Sequence, residues 1–157
     1  MITGVYGQTI NSYLSLKESK LDTTASMSKT EYLFKLTNDL TKAVKYVYGR
    51  KTTTNDRYIK LQLSHNTSPN MFSYQVDLKP YGFWKYEVYE VTWISTVVLN
   101  TETAPETEVE VLEEAVENGV VKGKVHEGKL YVQETSGSEQ VKYTYHTETT
   151  TNYLYTN

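Results

Sequence analysis

The chain has 157 residues, a net charge of -3 and no cysteine, with 15 tyrosines and 23 threonines against 3 prolines. That length predicts one domain able to bury roughly 70% of its unfolded surface. The β-branched and aromatic excess excludes a coiled coil, a helix bundle and a collagen, and the apolar content excludes wholesale disorder.

Without cysteine there is no disulfide framework, thiolate zinc site or thiol catalysis. No basic run marks a nucleic-acid footprint. No apolar run approaches the roughly 20 residues that span a bilayer. Met1 to Ile10 carries no basic region followed by an apolar stretch, so no secretory signal is expected there.

In chain order, Asn11 to Lys17 places Leu14 and Leu16 on one face and Tyr13 on the other, a strand pattern. Ser19 to Lys29 is polar and without period, which predicts a loop. Tyr32, Phe34 and Leu36 then alternate with Leu33, Lys35 and Thr37, and Val44 and Tyr46 alternate with Lys45 and Val47. Residues 51 to 56 predict an exposed connection. Ile59, Leu61 and Leu63 predict a further strand, and Phe72, Tyr74, Val76 and Leu78 another. Turn signals separate them: Asn38-Asp39, Asn55-Asp56, the stretch from Asn66 to Asn70, and Lys79-Pro80-Tyr81-Gly82.

Phe83 to Trp93 is long for one strand. Trp84, Tyr86 and Val88 share one face, and Tyr89, Val91 and Trp93 the other. Either a bulge near Val88 turns both sets inward, or the strand is buried on both faces at different points.

After Asn100 the character changes. Residues 101–107 predict a polar linker, and 108–116 fit either a short helix or, preferably, a short strand with a turn. Val121, Gly123 and Val125 predict a strand, His126-Glu127-Gly128-Lys129 a hairpin turn, and Leu130 to Glu134 the returning strand. Val141, Tyr143 and Tyr145 predict a last strand before a Tyr- and Thr-rich tail. The expected architecture is an all-β, antiparallel β-sandwich of Ig-like or Greek-key type. Its core domain would span 1–100, and a C-terminal β-hairpin extension with its tail would span 108–157, packed on the core or on a neighbouring subunit.

Catalytic chemistry has little support. His65, His126 and His146 are isolated, and neither a metal-binding His pair nor a Gly-x-Ser-x-Gly elbow nor a phosphate loop occurs. Glu87, Glu90 and Asp77 could supply a carboxylate pair, but their spacing places them on solvated strand faces. No metal, cofactor or catalytic residue is expected. Tyr81, Trp84 and Trp93 could form a glycan-binding platform, although aromatic rings of this kind more commonly fill a core. Tyr143, Tyr145, Tyr153 and Tyr155 have little aliphatic company and are candidates for a subunit interface.

Four blocks occur in order. They are Tyr32-Leu33-Phe34-Lys35-Leu36-Thr37-Asn38-Asp39-Leu40-Thr41, Arg57-Tyr58-Ile59-Lys60-Leu61, Gly82-Phe83-Trp84-Lys85-Tyr86-Glu87-Val88-Tyr89-Glu90, and Val116-Glu117-Asn118-Gly119-Val120-Val121-Lys122. Over roughly residues 5 to 125 this set resembles short β-rich proteins encoded among the virion genes of tailed bacteriophages, including crAss-like phages. The resemblance implies a non-enzymatic virion component, placed as a capsid-associated auxiliary or head-fibre protein. A tail or neck accessory protein is the alternative position. It also implies assembly in the bacterial host cytoplasm and partners among capsid or fibre subunits. A homo-oligomer is expected, with a dimer favoured, and neither nucleic acid nor membrane as a ligand. Within these blocks Thr37-Asn38-Asp39 is expected to end a strand in a side-chain-capped turn. Gly82 is expected to let the chain turn before Trp84 enters the core.

Overall fold

The computed structural model describes residues 1–135. Among these residues the fold is an all-β sandwich with nine strands: β1 (Ile2–Val5), β2 (Ile10–Leu14), β3 (Thr30–Asn38), β4 (Val44–Tyr48), β5 (Arg50–Thr54), β6 (Ile59–His65), β7 (Gln75–Val76), β8 (Gly82–Thr92) and β9 (Val120–Gln133). One sheet has the order β1-β9-β8-β3-β4; the other has β2-β6-β5, with β7 beside β6. Most pairs are antiparallel, but β1 with β9 and β6 with β7 run parallel, so the sheets are mixed.

The alternating residues form the core between the sheets. Tyr32, Phe34 and Leu36 from β3, Ile59, Leu61 and Leu63 from β6, and Trp84, Tyr86 and Val88 from β8 are all buried in it. The chain passes from one sheet to the other through Gly49, where a Cβ would lie 2.7 Å from the Phe34 ring and 3.3 Å from Leu61. Only a residue without a side chain lets the corner pack this closely.

β8 is regular against β3, from Thr30 opposite Thr92 to Asn38 opposite Trp84. The register shifts lie instead between β8 and β9, where Val125 and Lys122 are the extra residues on β9. The long strand is therefore buried on both faces. A second cluster of Leu33, Tyr48, Val91, Trp93 and Ala104 sits on the outer side of the five-stranded sheet.

Residues 94–119 cover that second cluster. The segment expected as a linker buries Ala104 and Pro105, and the Tyr48 hydroxyl donates to the Pro105 carbonyl at 2.7 Å. Residues 108–116 form neither strand nor helix. They continue an irregular arm, tied back where the Gly119 amide donates to the Thr103 carbonyl at 2.7 Å.

Three further expectations are corrected. Residues 126–129 make no turn: β9 runs through them between β1 and β8, so among the described residues no hairpin forms there and the strand belongs to the core sheet. Gly128 serves close packing, since a Cβ there would lie 2.7 Å from the Tyr86 hydroxyl. Met71–Ser73 is a 3-10 turn capped by the Asn70 side chain, and Tyr74 takes a left-handed φ of 62°. The expected strand through Phe72 and Tyr74 thus shrinks to Gln75–Val76. Residues 50–54 form an edge strand where an exposed connection was expected.

The turn after β3 follows its side-chain chemistry. The buried Asn38 side-chain oxygen accepts from the Leu40 and Thr41 amides at 3.0 and 2.9 Å. Gly82 has φ +110°, and Trp84 two residues later is fully buried. Asn38→Ala removes the acceptor for both amides and should cost about 1–3 kcal/mol. The urea midpoint should fall with an unchanged m-value.

Candidate interaction surfaces

The carboxylates considered for chemistry are separated. Glu87 lies on the outer face of β8, beside Lys85 at 3.2 Å and Lys124 at 3.3 Å. Glu90 lies on the inner face and is 0% exposed, which corrects its expected place on a solvated face. Its two oxygens accept the backbone amides of Leu21 and Asp22 at 2.8 and 2.9 Å. This carboxylate is a built-in anchor for the loop of residues 15–29. The loop carries its own lock. Bonds from the Thr24 hydroxyl and the Ala25 amide hold the Asp22 carboxyl well below the usual range, and Lys122 stands 3.3 Å away. Asp77 sits elsewhere and accepts from the Tyr6 hydroxyl at 2.9 Å.

The glycan platform does not form. Trp84 and Trp93 are 0% and 2% exposed and lie on opposite faces of β8, so neither ring can present a surface. Tyr81 is half-buried and packs edge-on against Tyr6, with ring centres 5.0 Å apart. The His65 ring also packs on Tyr6 at 4.3 Å, and Lys79 lies 4.9 Å from the Tyr6 ring. Sequence pattern gives no sign of this end cluster, because Tyr6 stands in no alternating run. Desolvation and the bond to Asp77 raise the Tyr6 hydroxyl above its ordinary range, so it remains a donor. Among the described residues no group of three His, Asp or Glu side chains gathers to hold a metal ion. His146, Tyr143, Tyr145, Tyr153 and Tyr155 lie outside the described residues.

The arm presents a different kind of surface. Every charged residue between 94 and 119 is a glutamate. Glu108 fastens this segment to the sheet: it is paired with Lys35, and it accepts from the Tyr46 hydroxyl at 2.6 Å. Burial opposes its charge, but the bonds from Lys35 and Tyr46 outweigh that and hold its pKa below the ordinary glutamate value. Burial and the same contact push Tyr46 up to about 12. Around this clamp, Val109 and Val111 are 79% and 92% exposed, and Val116, Val120 and Ile94 are also exposed. A row of valines on an anchored backbone leaves apolar area in water that no described element of the chain covers.

A depressed carboxylate pKa adds stability above its unfolded value, and that stability is lost as pH falls through the lower folded value. Glu108→Gln should therefore cost about 1 kcal/mol at neutral pH, as the loss of a charge-assisted bond requires. The urea midpoints of the two proteins should converge as the solution is acidified below the ordinary glutamate range. A gap that stays constant with pH would show that the Glu108 charge contributes nothing.

The outer face of the smaller sheet has the opposite character. Tyr13 on β2 is exposed, and its ring meets Tyr58 edge-on at 5.5 Å. The Lys60 ammonium stands 5.7 Å over the Tyr13 ring. Arg57 directly precedes Tyr58 in the connection before β6, and Arg50 on β5 stands opposite Gln62, two residues along β6 from Lys60; both arginines are exposed. Among the described residues none of Arg50, Arg57 and Lys60 has a carboxylate partner; the nearby Asp56 is taken by Lys17 at 2.5 Å. Compared with known protein families, curated proteins and solved structures, the chain finds no match.

Proposed function

We propose that this chain is a non-enzymatic structural component of a tailed-phage virion. In this reading it is a capsid-associated auxiliary or head-fibre protein that acts by binding other virion proteins and copies of itself, with a dimer as the first step. It works in the particle, after assembly in the host cytoplasm. The observation that carries the binding part is the valine row of the acidic arm, held by the Glu108 clamp and exposed to water. Exposed apolar rows rimmed by charge are characteristic of protein-binding surfaces. The phage assignment rests on the four ordered sequence blocks. Tyr143, Tyr145, Tyr153 and Tyr155 are a second contact region in this reading, on sequence grounds alone.

Mass spectrometry of gradient-purified particles tests the proposal. Peptides of this chain should sediment with the major capsid protein at a constant ratio across fractions. Their absence from the particles would overturn it. Gold labelling of intact particles then separates the positions: label on heads supports the capsid assignment, and label at the neck or tail replaces it with the accessory alternative.

A further inference from the structure

The acidic valine arm and the basic tyrosine face are complementary, yet one chain cannot bring them together. The arm lies over Leu33, Tyr48, Val91 and Trp93, on the outer side of the five-stranded sheet. Tyr13, Lys60 and Arg50 lie on the outer side of the other sheet, across the full thickness of the sandwich. The arm holds seven glutamates and no basic residue, and the whole chain carries -3, so the rest of the chain carries +4. On one surface exposed valines alternate with carboxylates; on the other, tyrosine rings stand among cations that no carboxylate pairs with among the described residues. Apolar contact at the centre with charge pairing around it is the usual anatomy of a specific interface.

From this we infer that the arm of one copy, centred on Val109, Val111 and the neighbouring Glu113 and Glu114, docks on the Tyr13–Tyr58 face of a second copy, against Arg50, Arg57 and Lys60. Two different surfaces on opposite sides of a rigid body make a heterologous contact. Repetition of that contact gives a ring or an open row and not a closed two-fold pair. The inference rests on the self-binding part of the proposed function and extends it to a geometry. Val109 and Val111 supply the apolar centre, Tyr13 is the rigid aromatic anchor opposite them, and the charged rim sets orientation and excludes the reverse packing.

The test mixes two charge-reversed proteins in sedimentation velocity. The full chain should form species that grow with concentration, with an apparent affinity that falls about tenfold between low and high salt, as expected for a few rim ion pairs. Arg50→Glu with Arg57→Glu should be monomeric, and so should Glu113→Lys with Glu114→Lys. Mixed in equal amounts, the first supplies an intact arm and the second an intact face. They should associate again, because the intact arm meets an intact face and the lysine-bearing arm meets a glutamate-bearing face. Tyr13→Ala and Val111→Asp, both at exposed positions, should each abolish growth with an unchanged circular dichroism spectrum, so the inference stays testable even if a double charge reversal disturbs folding. A full chain that stays monomeric, variants that associate like the parent, or a mixture that does not pair would each overturn the inference. These outcomes leave the virion assignment to the particle mass spectrometry, which can fail independently.

Discussion

Trp84→Ala should cost about 3–5 kcal/mol, the range for truncating a large buried aromatic. Against a typical total of about 5–15 kcal/mol, this removes much of the stability of the domain. The side chain is fully buried between the sheets, opposite Asn38 on β3 and Leu130 on β9. Its indole N–H donates to the Pro80 carbonyl at 3.2 Å, and the same carbonyl accepts from Asn38. Truncation therefore opens a cavity and weakens two turns at once. Trp93→Ala should act differently. Trp93 lies in the second cluster, and a Cβ on Gly119 would stand 2.5 Å from its ring, so the returning arm rests directly on the indole. Its loss should raise amide exchange across 94–119 and leave the inter-sheet core protected. Urea unfolding and hydrogen exchange distinguish the two variants. A Trp84→Ala protein with the parent's midpoint would refute the core assignment.

Glu90→Ala should cost about 3–4 kcal/mol. The change leaves the Leu21 and Asp22 amides without their acceptor, at about 1–3 kcal/mol each when partly buried, and adds a cavity inside the sheet. Glu90→Gln keeps one acceptor oxygen but turns an amide donor toward the second N–H, so it should lie between the parent and alanine. The effect should be felt first in the loop. Slow exchange at residues 21 and 22 should vanish in Glu90→Ala and be lost at one of the two amides in Glu90→Gln, before the global midpoint accounts for it. If the midpoint and those two amides behave as in the parent, Glu90 does not anchor the loop.

Much of the sandwich is legible in the sequence because one physical signal dominates it. Tyr32, Phe34 and Leu36, and likewise Ile59, Leu61 and Leu63, alternate because each strand buries one face, and all six are core residues. The pattern misleads where it has a second cause. Phe72 and Tyr74 alternate like strand residues, yet they belong to a 3-10 turn and its cap that pack on the outer cluster, with Phe72 stacked on Tyr48. His126-Glu127-Gly128-Lys129 has turn composition, but Gly128 is there to admit the Tyr86 ring. Lys51 to Thr54 contains no aliphatic residue because β5 is an edge strand with little to bury.

The candidate surfaces are less legible for a related reason. Glu87 and Glu90 are three residues apart on one strand and face opposite sides of the sheet, one among lysines and one buried. The difference depends on β9 and the loop of residues 15–29 packing there, which no local pattern reports. In the arm, residues 101–107 have a linker's composition, and 108–116 carry a pattern that fits a strand or a helix but form neither. The arm's burial comes from a few points, Ala104, Pro105 and Glu108, and the exposed valines beyond them gain meaning only because those points are fixed.

Hydrogen exchange on the full chain, compared between dilute and concentrated solutions, tests most directly the claim that this domain works through its arm and its basic face. New protection should appear together in 108–116 and in the segments around Tyr13 and 50–60, with the ion-paired outer face at Lys85, Glu87 and Lys124 unchanged. No concentration-dependent protection, or protection confined to that ion-paired face, would rule out both surfaces as the place where copies meet.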